Sequence, residues 1–158
     1  MAFSCDKTHA FTSHVDSTLR TWRLDGFEGV EQVALAGVAI SIAPSRSEPL
    51  TVFAVLHTAD KLVVVKDNAV LTSHAFDGYE AETVGHSQVT GEVVVGDKKG
   101  VIHFFDQASL EEKGLIEKKH NHAITTLTVS EDGTKLATAD TYRYIYIFDL
   151  AERKEIGC

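Results

Sequence analysis

The chain has 158 residues, 44% of them hydrophobic, with 15 Lys and Arg against 23 Asp and Glu for a formal charge of −8. That length suits one domain with a sizeable core, and the acidic balance opposes counterion-driven binding to nucleic acid or to an anionic membrane, so protein partners are expected. No apolar run reaches the ~18 residues of a membrane span, and the opening MAFSCDKTHAF lacks the basic start and long apolar core of a secretory signal, so cytosolic residence is the expectation. Cys5 and Cys158, one near each end, read as free thiols.

In chain order, Phe11-Thr12-Ser13-His14 reads as a strand, Val15-Asp16-Ser17 as a tight turn and Thr18 to Trp22 as the next strand. Only half a unit is expected there. Glu31 to Ala36 and Gly37 to Ala43 supply two strands of a second unit. The loop from Pro44 to Pro49 holds both prolines, and Leu50 to His57 and Lys61 to Asp67 complete that unit. A third unit starts near Tyr79, runs through Glu92 to Val95, turns at Gly96-Asp97-Lys98-Lys99-Gly100 and continues with Val101 to Asp106. The charges of Glu111, Glu112, Lys118 and Lys119 would suit a helix, but the repeat leaves a slot for an outer strand at Leu115-Ile116. In the fourth unit, Ala123 to Val129 alternates at period two, Ser130-Glu131-Asp132-Gly133 is a hairpin turn, Lys135 to Ala139 returns and Tyr144 to Phe148 follows.

Four of these strands carry a large or β-branched residue, Trp22, Val65, Phe105 and Phe148, at intervals of 43, 40 and 43 residues. A period of ~40–45 residues with several strands per unit is that of a propeller blade of the WD-repeat kind. In Tyr144 to Phe148, Ile145 and Ile147 face one way and the aromatic residues the other, so a neighbour is expected on each side. The sequence therefore predicts an all-β fold: one partial WD-repeat β-propeller over residues 1–158, with about three and a half four-stranded blades. Their approximate bounds are 1–27 (partial), 28–76, 77–117 and 118–158. Propellers close with ~4–8 blades, so the chain is expected to be a piece whose exposed edges the remainder of a propeller or a second copy covers.

His120 stands four residues before Ile124 and twenty before Asp140, the relation expected when a histidine ahead of a blade bonds an aspartate in a later turn of that blade. The other reading pairs His120 with His122 on a metal, but no third ligand stands at a convincing spacing. His86 reads as a strand-end residue, and His9, His14, His57, His74 and His103 as scattered polar strand residues. Ser13-His14-Asp16 is too close together for a catalytic triad, and Gly96 to Gly100 lacks the spacing and following helix of a phosphate loop. Arg143 lies three residues after Asp140. Either the two form an ion pair that staples the turn, or Arg143 meets a partner on the propeller surface. The residues singled out are thus structural, Asp16, Trp22, Asp97, His120, Asp140 and Arg143, and no catalytic group, cofactor or metal is expected.

Ile124-Thr125, Ser130 to Asp140, Arg143 and Phe148-Asp149 resemble a blade in the second propeller of the actin-interacting protein 1 family, whose turn reads Asp-x-x-Arg. Val15 to Arg20 resembles that propeller's Asp-Asp-Thr-Leu-Arg turn, and Val33 to Ile42 with Asp60 to Asn68 resembles its valine-rich irregular blade, in the same order. The chain departs from the common blade pattern at Lys99, where many blades carry aspartate, and at Val65, Phe105 and Phe148, which replace tryptophan. An incomplete hydrogen-bond relay is therefore expected in units two to four. The resemblance implies a non-enzymatic cytoplasmic protein of the cortical actin cytoskeleton. Its implied partners are actin filaments and cofilin/ADF, with which it disassembles and caps filaments through propeller loops. A general WD-repeat adaptor that assembles protein complexes is the alternative.

Overall fold

The structure, a computed structural model, describes residues 1–26, 30–117 and 119–158. Sixteen strands form four antiparallel sheets, each a meander in chain order. The first sheet holds β1 (Ala2–Phe3), β2 (His9–Ser13), β3 (Thr18–Arg23) and β4 (Val30–Ala34); the second holds β5 (Ala39–Pro44), β6 (Thr51–Leu56), β7 (Lys61–Lys66) and β8 (Ala69–Ala75). The third holds β9 (Ala81–Ser87), β10 (Glu92–Asp97), β11 (Ile102–Asp106) and β12 (Glu112–Ile116); the fourth holds β13 (Ile124–Val129), β14 (Lys135–Asp140), β15 (Ile145–Asp149) and β16 (Lys154–Gly157). Among the described residues no helix is long and apolar enough to cross a membrane.

This is the partial propeller the period predicts, with two differences. The first unit has all four strands rather than half, because Ala2 and Phe3 pair with Phe11 and Ala10 as a two-residue inner strand that no sequence alternation could announce. Val30–Ala34 belongs to that first sheet as well, with Val30 opposite Trp22, instead of opening the second unit. The expected boundary at 27/28 lies outside the described residues, as does residue 118, the expected start of the fourth unit.

Runs such as Val52–Leu56, Leu62–Val65 and Val93–Val95 are apolar without alternation because each is covered on both faces. One face of the second sheet, carrying Val52, Ala54, Val63 and Val65, meets Phe11 and Leu19 of the first. Its other face, with Phe53, Val55, Leu62 and Val64, meets Val93, Val95 and Phe105 of the third. Val94, Ile102 and Phe104, on the far side of the third sheet, meet Leu127, Leu136 and Phe148 of the fourth. Each sheet therefore has a back face toward its predecessor and a front face toward its successor.

The four residues that set the sequence period are the penultimate residues of β3, β7, β11 and β15, and all lie on back faces. Val65 (2% exposed), Phe105 (0%) and Phe148 (1%) are sealed beneath the preceding sheet, whereas Trp22 has no sheet before it and stays half-buried. At the opposite end, Ile145 (57% exposed) and Ile147 (38%) lie on the front face of the fourth sheet, which nothing in the described chain covers. The two-sided burial expected of the last strand therefore holds for the second and third sheets, and only on the back side for the fourth.

Candidate functional site

The innermost strands β1, β5, β9 and β13 each form one edge of their sheet. They surround a cleft of about 490 Å³ that all four sheets line. Arg46, on the loop after β5, spans this cleft. Its guanidinium donates to the carbonyl oxygen of Val129 at 2.8 Å and to that of Glu131 at 3.4 Å, tying the second sheet to the fourth. The Arg46 backbone N–H donates to His86 Nδ1 at 3.1 Å, so His86 Nε2 carries the proton it gives to Gln107 Oε1 at 2.7 Å. His86 also stacks on Phe53 with ring centres 4.9 Å apart. Burial lowers its pKa, an effect the Gln107 bond only partly offsets, which keeps the ring neutral. The cleft thus presents strand edges, Lys7 and Cys5 beside a cation already committed to two carbonyls.

Two buried histidine relays stand outside the cleft. In the fourth sheet His120 Nδ1–H donates to Asp140 Oδ2 at 3.0 Å, and the Thr138 hydroxyl donates to His120 Nε2 at 2.7 Å. Asp140 Oδ1 accepts the N–H groups of Tyr142 (2.9 Å) and Tyr144 (3.1 Å), closing the turn. Burial alone would raise the Asp140 pKa; the His120 bond and these two amides outweigh it and lower it. Tyr146 meets the His120 ring edge-on at 4.7 Å. A relay is therefore complete in this sheet, with Tyr146 rather than Phe148 as its aromatic member.

In the third sheet the same positions are filled in exchanged order. Asp97 Oδ1 accepts the N–H groups of Lys99 (2.8 Å) and Val101 (2.7 Å), just as Asp140 closes its own turn. The imidazole comes from His103 on β11, whose place opposite Val95 corresponds to that of Tyr146 opposite Thr138. Tyr79 lies flat on that ring, 4.0 Å between centres and 6° between planes, in the place His120 takes in the next sheet. His103 Nε2 lies 3.3 Å from Asp97 Oδ2 and Nδ1 lies 2.7 Å from Glu112 Oε1. With a carboxylate at each nitrogen, the geometry favours a proton on both, the imidazolium form. Burial works to lower its pKa, and the Asp97 and Glu112 bonds overcome that and raise it. The Tyr79 hydroxyl has no hydrogen-bond partner among the described residues, and burial beside Glu112, Asp97 and Asp77 raises its pKa.

The sequence-derived residues do not converge on one site. Asp16 closes the β2–β3 turn, accepting from Thr18 N (3.1 Å) and pairing with Arg20 (2.8 Å). Trp22 Nε1–H donates to Thr12 Oγ1 at 2.8 Å within the first sheet. Asp97 belongs to the third sheet, and only His120 and Asp140 meet each other. Arg143 sits at the β14–β15 turn with φ 72° and an exposed side chain; Asp140 pairs with His120 and not with it, so the expected staple is absent among the described residues. His122 stacks on Tyr142 at 3.8 Å, away from His120, and no three His, Cys, Asp or Glu side chains among the described residues gather as metal ligands. His103, read as one of the scattered polar histidines, is instead the centre of a buried cluster. Aligning the units on Asp97 and Asp140 would have found it, since His103 and Tyr146 each stand six residues after them.

No protein-family model matches the sequence. The chain is similar to a 66 kDa stress protein of Physarum polycephalum, 32% identical over 103 residues, which is 64% of this chain. The match spans 17% of that protein's length.

Proposed function

We propose that the chain is a non-catalytic binding module of the actin-interacting protein 1 kind, which engages cofilin-decorated actin filaments through its rim loops in the cytoplasm. The observation that supports this is the exposed turn after β14. There the Asp140-x-x-Arg143 pattern is held rigidly by the buried His120–Asp140 bond while the Arg143 guanidinium, free of any ion pair among the described residues, projects outward. A backbone fixed by those bonds and presenting an unneutralised arginine is suited to meeting an acidic protein surface, because no backbone ordering of the turn remains to be done on contact. Co-sedimentation with actin filaments, with and without cofilin, tests it. Binding that rises with cofilin and weakens in Arg143→Ala supports the reading, and a chain that stays in the supernatant in every lane refutes it.

The central cleft favours a second reading, an adaptor that holds an extended segment of another protein. The edges of β5 and β9 border the cleft, and although the Val84 N–H is taken by Ser41 Oγ at 3.1 Å, strand edges are where such a segment forms ladder hydrogen bonds. Partner capture that is indifferent to actin and cofilin would favour it.

A further inference from the structure

The outer strands of the third and fourth sheets carry a glutamate at the same place. Phe105 faces Glu112 across β11 and β12, Phe148 faces Glu155 across β15 and β16, and in both sheets the next residue, Lys113 or Ile156, bulges out unpaired. Each glutamate therefore anchors a strand end that lies beyond a break in the ladder, at the edge of its sheet. The cations that hold them differ. Glu155 pairs with the Lys119 ammonium at 2.5 Å, which keeps its charge through the neutral range. Glu112 is held at 2.7 Å by His103 Nδ1 and has no Lys or Arg partner among the described residues. Around that ring, β10 contributes Asp97 at 3.3 Å from Nε2, and the segment before β9 contributes Tyr79, flat on the ring at 4.0 Å, with Asp77 beside it. Burial pushes the Tyr79 hydroxyl pKa up, so it keeps its proton. Lys98 and Lys99, on the β10–β11 turn, are committed to Glu80 and to the Gly78 carbonyl oxygen, and His74 of β8 packs on Phe105. In the third sheet a group that titrates near neutral pH thus does what a permanent cation does in the fourth.

We propose that His103 and Glu112 form a proton-gated clasp on the outer strand of the third sheet: the doubly protonated ring holds the start of β12 against β11, and loss of one proton to water lets Glu112 turn to solvent and the Glu111–Lys113 end open. A neutral imidazole has a single N–H to share between two carboxylates. Asp97 keeps it, although its bond is the longer, because its side chain is 1% exposed and cannot reach water, whereas Glu112 is 37% exposed and can. Glu112 then faces a lone pair and leaves. The ties that remain at that strand end are the Asp106 N–H to Glu111 carbonyl bond at 2.9 Å, the exposed Lys113–Asp106 pair, and Arg153 on the Lys113 carbonyl oxygen at 3.2 Å. Against the lowering effect of burial, the Asp97 and Glu112 bonds raise the His103 pKa above its ordinary 6.5. The clasp is therefore shut at and below that value and opens as pH climbs through the folded-state value. The device acts within one sheet and is independent of the actin reading.

The full chain, labelled with nitrogen-15, is titrated from mildly acidic to alkaline pH while NMR follows the His103 ring nitrogens and amide hydrogen exchange corrected for its intrinsic base catalysis. Both ring nitrogens should carry protons at the acidic end, and Nδ1 should be the one that loses its proton. The Asp106 amide should then exchange about tenfold or more faster, the factor for one lost hydrogen bond to a charged group. The Asp149 amide, opposite Lys154 in the strand pair that Lys119 and Glu155 secure, should show no such step. Glu112→Gln removes the charge and keeps the shape, so it should move the His103 titration and the exchange step together to lower pH. In His103→Phe the step should vanish and Asp106 should exchange fast at every pH; should that variant unfold, as judged by circular dichroism, Glu112→Gln carries the test. A ring that keeps the Nδ1 proton through its titration, an Asp106 amide without a step, an equal step at Asp149, or a titration that Glu112→Gln leaves unmoved would each overturn the proposal.

Discussion

Replacing His103 with phenylalanine removes the imidazolium that joins Asp97 to Glu112 while keeping a flat ring beneath Tyr79. Breaking a buried ion pair from one side costs about 3–5 kcal/mol when the remaining charge has no other partner. Here Asp97 is 1% exposed at its side chain but keeps two backbone amides, and Glu112 is 37% exposed and can turn to water. The cost should therefore fall below that range, at about 2–3 kcal/mol. For a chain of this size that lowers the melting temperature by about 5–10 °C. The sign of the pH dependence follows from the raised pKa of His103, whose ordinary value is 6.5. Above that value the folded state holds a proton the unfolded chain has lost, so the contribution is complete below 6.5 and declines as pH rises through the folded-state value. Thermal melts of both proteins at a series of pH values from mildly acidic to alkaline should show the gap between them narrowing as pH rises. A gap that is constant or widens across that series would refute the assignment of His103 as the imidazolium of the cluster.

Four further substitutions probe the stack. Phe104→Ala, at a fully buried position where the Arg153 guanidinium also lies 4.5 Å over the ring, should cost about 3–5 kcal/mol in urea unfolding, read as a lower midpoint at unchanged slope. Thr138→Val leaves His120 Nε2 buried without its donor, and chemical denaturation should register a loss of about 1–3 kcal/mol. Gly100 and Gly78 have nearly the same backbone, φ 85° and 81°, but a methyl at Gly100 would stand 2.5 Å from the His120 carbonyl oxygen whereas nothing lies within 4 Å of one at Gly78. Gly78→Ala should cost only the left-handed strain, about 1 kcal/mol, and Gly100→Ala clearly more; equal melting temperatures for the two would show that the turn of the third sheet does not press on the start of the fourth.

Particular residues show where reading stopped short. Val65, Phe105 and Phe148 were legible because burial beneath a preceding sheet demands a bulky apolar side chain at one fixed place per unit, and that demand leaves a period in the sequence that Trp22 shares. His120 and Asp140 were legible because their spacing is local to one unit. His103 was not, since its two carboxylates come from neighbouring strands, Asp97 on β10 and Glu112 on β12, and the exchange with Tyr79 breaks the pattern that the next sheet displays. Arg46 was equally hidden: its acceptors are carbonyl oxygens of Val129 and Glu131, and backbone atoms have no identity in a sequence.

The sequence by itself determined that the chain is all strand, that it repeats every ~40 residues, and which side chains seal each sheet, because alternation and bulk are written residue by residue. Only the tertiary structure decided that four sheets rather than three and a half are complete, and that Ile145, Ile147 and Trp22 lie on faces without a neighbour among the described residues. The physical reason is that a sheet's amino acids specify what its faces need, while the order in which the sheets stack decides which residues meet that need.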